Sequence, residues 1–388
     1  NDSYNLAYGR GLNTSSDYMN SMGNTTASLR TSVGVDSKQR NLAWFFSGEY
    51  SWMNRYFLAV DASMETSNRF GKEAKGALHM AGVSWAFFPA VNASWVFSSE
   101  EWMKNLTWLD YGRLRLGWEL TGNDNLPDYA TESYFTSAGL LGNAFGLVLD
   151  NIGNDGLKWE QTSTFRAGLD ASLFHNRWSF ALDFFKSRTS NLLVRKQLNE
   201  IAGLDWYWTN GGSLDNTGVN FSTTVRALDL RDWKLDLGAS IGHYRNRVHK
   251  LDDGSFITTI DGAQVLTSEG NPLGVFYGYR TEGVFSTSAE ARAANLAVRN
   301  ANGTLTPFAA GDMRFADNGD GIIDEADRTI IGDPNPDVYG NFNFRLQWKR
   351  FALSSLFTYS VGNDVYNALR ANLESGSEIH NQSTALMN

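Results

Sequence analysis

Between Trp159 and Ile241 apolar residues recur on every second position through four successive segments. Trp159, Phe165, Ala167, Leu169, Ala171 and Leu173 share one parity, while Glu160, Thr162, Thr164, Arg166, Asp170 and Ser172 take the other. Phe174-His175-Asn176-Arg177 turns the chain, and Trp178, Phe180, Leu182 and Phe184 then oppose Ser179, Asp183 and Ser187. Val219, Phe221, Val225 and Ala227 oppose Asn220, Ser222, Thr224 and Arg226, and Trp233, Leu235, Leu237, Ala239 and Ile241 oppose Lys234, Asp236 and Ser240. Alternate residues of a strand face opposite ways. One oily and one wet surface, held over about ten residues or more, is the requirement of a membrane-spanning strand. Soluble sandwiches alternate too, in shorter strands. The pattern therefore predicts an all-β, transmembrane antiparallel barrel with Leu169, Phe180, Leu182, Val225 and Leu237 toward lipid.

Further strands are expected at 40–52, 55–66, 90–98, 113–120, 338–348 and 351–361, which brings the count to about ten to twelve. Connections alternate between tight (Met53-Asn54, 174–177, 228–232, Lys349-Arg350) and long. Outer-membrane barrels have short periplasmic turns and long external loops, so residues 67–86, 121–158, 191–213, 249–337 and 363–388 are placed outside the cell. Residues 1–388 read as one partial barrel domain, with 249–337 as a long extracellular loop region inside it. The start, Asn1-Asp2-Ser3-Tyr4, lacks a basic segment followed by an apolar one. Since a barrel must be exported, the chain is expected to be a mature or internal fragment.

Composition removes alternatives. The chain has 37 Gly, 6 Pro, no Cys and 13% aromatics, and no apolar run reaches the length of a spanning helix. A closed sheet is then the remaining way to satisfy the backbone in lipid. Absent cysteine excludes disulfides, thiolate zinc sites and cysteine nucleophiles. A net charge of -9 argues against nucleic acid. Trp52, Tyr56, Trp95, Trp118, Trp159, Trp178, Trp233, Trp348 and Tyr359 fall near strand ends, as interfacial girdles require.

Several strings add a family resemblance. Arg69-Phe70-Gly71, Phe88-Pro89 with Trp95 and Glu100-Glu101-Trp102-Met103, Thr121-Gly122-Asn123, and Leu157-Lys158-Trp159-Glu160 occur in order. Gly270-Asn271-Pro272-Leu273-Gly274, Gly319-Asp320-Gly321-Ile322 and Gly362-Asn363-Asp364-Val365-Tyr366-Asn367 follow. Together they resemble the SusC/RagA family of TonB-dependent outer-membrane transporters from about residue 40 onward. The resemblance implies a 22-stranded barrel of a Gram-negative outer membrane, of which this chain would lack the plug and the last strands. It also implies TonB-driven import of oligosaccharides or peptides, a SusD-like lipoprotein lid, and a dimer of such pairs. It implies no enzymatic activity and no required cofactor.

Two constellations carry candidate chemistry. Asp317, Asn318, Asp320, Asp324 and Asp327 crowd one loop and resemble a calcium loop of that family. With Gly321 at position six, Asp320, Asn318, Asp324 and Asp327 take five, three, nine and twelve, but Ala316 takes position one and Asp317 sits one residue off. The alternative is an Asx-rich turn serving its own backbone. Trp206-Tyr207-Trp208 is a candidate cargo contact, since sugar rings stack on aromatic faces; the alternative is loop packing. The five histidines (His79, His175, His243, His249, His380) have no metal spacing. Asp61, Glu65, Arg113, Arg115, Glu119, Arg166, Asp170 and Asp183 read as the lining of a wet interior that contacts the plug. The Asn-x-Ser/Thr triplets at Asn24 and Asn105 are those an Asn-rich chain carries by chance. A passive porin or adhesin barrel, or a soluble carbohydrate-active sandwich, shares the alternation without needing the ordered strings.

Overall fold

Ten strands follow one another across a single antiparallel sheet, each hydrogen-bonded to its sequence neighbours. They are β1 (Asn41–Trp52), β2 (Tyr56–Ser67), β3 (Val83–Trp95), β4 (Leu109–Asn123) and β5 (Glu160–Leu173). The second half comprises β6 (Trp178–Ser190), β7 (Ser213–Asp229), β8 (Trp233–Lys250), β9 (Val338–Trp348) and β10 (Phe351–Val361). This computed structural model describes residues 2–9, 30–139, 145–198, 201, 203–204, 206–300, 302–376 and 382–384. Asn24 and His380 lie outside the described residues.

Register agrees with the predicted parity. Leu169 pairs with Leu182, Leu182 with Phe221, and Phe221 with Ile241, so the oily residues form continuous rows. These side chains stay open: Leu182 is 41% exposed, Phe184 42% and Phe342 45%. An apolar face of this extent is stable only against lipid. Among the described residues no helix is long and apolar enough to cross a membrane.

The tight turns gather at one end. Met53 and Asn54 both have positive φ (54° and 51°), the central pair of a tight turn closed by the Arg55 N–H on the Trp52 carbonyl at 3.0 Å, with Trp52 and Tyr56 paired across it. Phe174, His175 and Asn176 also turn with positive φ, while the Asp110 carboxylate accepts the Asn176 N–H at 3.0 Å. Aromatic rings line this end: Trp52 lies 5.4 Å from Tyr56, Tyr56 stacks on Trp95 at 6.5 Å, and Trp233 on Trp348 at 5.6 Å. Glu100 accepts from Tyr56 Oη (2.7 Å), Trp95 Nε1 (3.1 Å) and Arg55 (3.0 Å). The Tyr56 bond, then the Trp95 bond, hold its carboxyl below the usual range.

Several expectations change. β3 starts at Val83, not 90, and ends at Trp95, where short 3₁₀ turns begin. β7 and β8 are longer than the oily alternation suggested, because the ladder continues after the outward residues become charged. Asp2–Gly9 and Arg30–Ser37 form an unanticipated antiparallel pair. Trp159 leaves the girdle: it is 4% exposed and stacks on Phe70 at 3.9 Å, inside a cluster with Leu157, Phe88 and Leu126. That core lies at the long-loop end.

The long loops are themselves folded. Tyr134–Gly139 pairs with Phe145–Asn151, and Leu193–Gln197 with Trp206–Asn210. Residues 249–337 form a lobe. It contains a four-stranded sheet (Phe256–Ile260, Ala263–Thr267, Val275–Gly278, Thr329–Gly332), smaller strand groups, and a helix Ser288–Ala294. Thr287 Oγ1 caps that helix by accepting the Glu290 N–H at 3.2 Å, and Glu290 reaches back to the Ser286 N–H at 3.0 Å.

Candidate functional site

The polar parity builds a wall crossed by ion pairs. Asp170 on β5 receives Arg115 bidentately (2.8 and 2.9 Å) and Arg113 Nε at 3.0 Å, both from β4. Arg115 Nη2 also reaches Asp183 on β6 at 2.8 Å, crossing β5 at Gly168. The crossing needs the missing side chain, since a Cβ at Gly168 would stand 2.7 Å from Asp183 Oδ1 and 2.8 Å from Arg115 Nη2. The same device recurs: Tyr339 Oη donates to Asn220 Oδ1 at 2.7 Å across Gly242, where a Cβ would fall 2.5 Å from that oxygen. Arg166 pairs with Glu119 at 2.8 Å, and Ser47 donates to Asp61 at 2.7 Å. A cavity of 630 Å³ opens on this wall, lined by Glu49, Asn92, Arg113, Arg115, Arg166 and Asp183. The residues expected to line a wet interior thus share one face, already paired across strands.

At the other end the loops are clasped into a continuous rim. Gly71 and Glu73 donate to the carbonyls of Leu157 (2.9 Å) and Asp155 (3.0 Å), and Arg69 pairs with Asp128 at 2.9 Å. Asn210 accepts the Lys158 N–H (2.9 Å) while donating to the carbonyls of Lys158 (2.8 Å) and Asn191 (3.0 Å). Asp252 accepts the Gly212 N–H at 3.2 Å, and Lys196 pairs with Asp253. The Asp253 bond raises the Lys196 ammonium above its usual range; Lys250, then Gly212, hold Asp252 below its own. Asn335 donates to the Leu273 carbonyl at 3.2 Å, and Asp364 accepts the Asp333 N–H at 2.8 Å. Short polar side chains here satisfy backbone groups that no sheet ladder serves. Nothing in the sequence pointed to the roles of Asn210, Asp252 and Asn335, and Asp364 stood out only as part of the 362–367 string. Their partners are distant in sequence: 62 residues separate Asn335 from Leu273, and 31 separate Asp364 from Asp333.

The Asp317–Asp327 loop turns its oxygens on its own backbone. Asp317 Oδ1 and Oδ2 accept the Gly321 N–H (3.1 and 3.2 Å), and Asp327 Oδ1 and Oδ2 accept those of Asn318 and Asp324 (both 2.8 Å). Asp320 accepts the Ile322 N–H at 2.8 Å, Asn318 the Asp320 N–H at 3.1 Å, and Asp324 the Ala326 N–H at 3.0 Å with Arg299 at 3.3 Å. The Ala326 bond, then Arg299, hold Asp324 below the usual carboxyl range. Among the described residues no three His, Asp or Glu side chains converge as a metal cluster. As placed, these oxygens serve the loop's own backbone, which is the arrangement of the Asx-turn alternative.

The aromatic trio does not make one platform. Strand alternation puts Trp206 and Trp208 on one face and Tyr207 on the other. Arg195 covers the tryptophans, its guanidinium carbon 4.1 Å and 5.1 Å from their ring centroids. Trp208 packs against the rim core, and its indole Nε1 is buried without an acceptor among the described residues. A second cleft, of 610 Å³, lies beside the lobe, lined by Phe276, Tyr277, Tyr279, Arg328, Asp364 and Tyr366. Burial raises the Tyr279 hydroxyl above its usual range.

Comparison with known proteins agrees with this architecture. Residues 1–372 match the family described as "TonB dependent receptor-like, beta-barrel". TonB-dependent receptor P3 of Formosa agariphila is 31% identical over 340 residues, which are 84% of this chain and 32% of that receptor. TonB-dependent receptor SusC of Bacteroides thetaiotaomicron is 27% identical over 352 residues, 88% of this chain and 33% of SusC. The solved RagAB peptide transporter superposes over 96% of this chain and 39% of its own, with a TM-score of 0.73 at 23% identity, a likeness of fold. The chain spans about a third of the length of the curated relatives it matches.

Proposed function

This chain belongs to the TonB-dependent receptor-like β-barrel family, and from that premise we propose that it supplies wall strands of an outer-membrane importer. The importer takes up oligosaccharides or peptides, draws energy through TonB, and works with a SusD-like surface lipoprotein. No chemical transformation of the cargo is part of this reading. The observation that carries it is the division of the sheet: an oily outer wall, a charged inner wall, and the longest loops on one rim, clasped into a platform. Loops this long do more than connect strands. The rim offers a surface for a lid and cargo, with Trp206 and Trp208 under Arg195 as the aromatic contact.

The peptide class has the name of one structural neighbour, the RagAB peptide transporter, beside it, and the oligosaccharide class rests on the SusC/RagA resemblance of the sequence strings. The test is growth and uptake on oligosaccharide or peptide sources in cells carrying the full-length receptor, with and without TonB. Uptake lost with TonB, and a lipoprotein that co-purifies with the receptor, are the expected results. Uptake that persists without TonB would instead favour a passive porin.

A further inference from the structure

Above the lipid-facing band, the outward parity of β6 and β8 changes abruptly from oily to basic, while β7 between them turns polar with Thr217 and Asp215. On β6, Phe180, Leu182 and Phe184 are followed by Lys186 and Arg188; on β8, Ala239 and Ile241 are followed by His243, Arg245, Arg247 and His249. Register aligns them across β7. Lys186 pairs with Thr217 and Thr217 with Arg245; Arg188 pairs with Asp215 and Asp215 with Arg247. Lys186, Arg188, His243, Arg245, Arg247 and His249 are all exposed, on the face that carries Leu182 and Ile241 below them.

Only one carboxylate sits on these rows. Asp215 is held bidentately by Arg188 (2.6 and 2.7 Å), with His249 at 3.6 Å. Lys186, Arg245 and Arg247 make no ion pair among the described residues, so the patch keeps a surplus of positive charge. Adjacent strands are about 4.8 Å apart and same-face residues about 6.6 Å apart along a strand, so the backbone positions of the three cations lie within roughly 12 Å of one another.

Height decides what can reach them. From Trp178, at the tight-turn end, to Arg188 the strand climbs about 33 Å, or about 25 Å along the membrane normal at a tilt of about 40°. That equals the height of the apolar band, so the patch stands at the headgroup level of the external leaflet. β6, β7 and β8 are interior to the sheet, each flanked by neighbours, and the lobe comes close only at the upper edge of this face, where a Cβ at Gly270 would stand 3.5 Å from Arg247 Nη2. A fork of arginines with a lysine, exposed at that depth, matches an oxyanion with several acceptor oxygens.

We infer that Lys186, Arg245 and Arg247 form a binding site for the phosphate group of a phosphate-bearing glycolipid in the external leaflet. The inference rests on the membrane orientation used above, and TonB-dependent uptake has no part in it. The lipid is held laterally against the barrel, its acyl chains along Phe184, Val219 and Leu182 and its phosphate on the basic rows.

The test uses the full-length receptor purified in mild detergent, with phosphorylated and dephosphorylated lipid A as probes and native mass spectrometry as readout. Each cation near an anionic lipid surface is worth about fivefold in binding, so replacing Lys186, Arg245 and Arg247 by Gln should weaken phosphorylated lipid A on the order of a hundredfold. Asp215→Asn should strengthen it, since it removes the only acid on the rows. Replacing Lys38, Lys72 and Lys75 by Gln makes the same charge change elsewhere and should leave binding unaltered. Heat-modifiable mobility on gels reports that each variant is folded. Equal binding of the dephosphorylated lipid, equal loss in the control variant, or full displacement by inorganic phosphate would overturn the proposal. Failure of TonB-dependent uptake would refute the import reading and leave this site standing.

Discussion

Gly168→Ala is a small change with a defined consequence. The new Cβ would lie 2.7 Å from Asp183 Oδ1, 2.8 Å from Arg115 Nη2 and 2.9 Å from Arg115 Cζ. All three distances are below what carbon contacts tolerate, and the atoms met are two ends of one ion pair. Arg115 can stay bidentate on Asp170 (2.8 and 2.9 Å) but must give up its 2.8 Å bond to Asp183. The side chains of Arg115 and Asp183 are 35% and 41% exposed, so solvent screens the pair and its loss is worth only about 0–1 kcal/mol. Overpacking adds about 1–3 kcal/mol, and removing a strand glycine returns about 0.5–1 kcal/mol. The net expectation is destabilisation of about 1–2 kcal/mol. Urea unfolding of the folded barrel in detergent measures it, and Asp183→Ala in the same background should recover part of the loss by freeing the guanidinium. A neutral Gly168→Ala, or additive costs for the two substitutions, would refute the idea that the glycine exists to let Arg115 cross β5.

Leu182→Arg, mid-strand on the oily face, should cost about 2–4 kcal/mol in the same assay, and single cysteines at 169, 182 and 237 should resist water-soluble reagents that label 170, 183 and 236. Reversed labelling would invert the faces. Asp324 has its folded pKa depressed, so its stabilisation is complete above the unfolded aspartate value of about 3.9 and is lost as pH falls through the lower folded value. Protection factors for the Ala326 amide should fall there, and unchanged protection at strongly acid pH would count against the cap. Added calcium should leave that amide's protection unaltered; tight, saturable binding would restore the calcium expectation for this loop.

Alternation was legible because a strand in lipid has two unlike solvents, and each side chain records which one it meets. Leu169, Leu182, Phe221 and Ile241 therefore declared their face, and the hairpin turns followed from where the alternation stopped and resumed. The same logic ended β8 too early. Beyond Ile241 the outward solvent is aqueous, so His243, Arg245 and Arg247 carry no oily signal although the hydrogen-bonded ladder runs on to Lys250. Trp159 looked like a girdle residue because an aromatic at a strand end has the same sequence signature in lipid headgroups as in a buried loop core.

Chemistry within the loops was less legible for a related reason. Asp317, Asn318, Asp320, Asp324 and Asp327 were visible as oxygen donors, but the direction of each oxygen depends on backbone torsions that composition does not encode. Trp206, Tyr207 and Trp208 were visible as aromatics, yet only the pairing with Leu193–Gln197 puts Arg195 over two of them. By itself the sequence determined the class of solvent on each face, the places of the tight turns it named and the end that bears the longest loops. Register and loop folding decided the rest: which charges meet across a glycine, which Asn clasps which loop, and that the unpaired cations of β6 and β8 lie side by side at one height. Those are relations between residues far apart in the chain, which exist only once the strands have aligned.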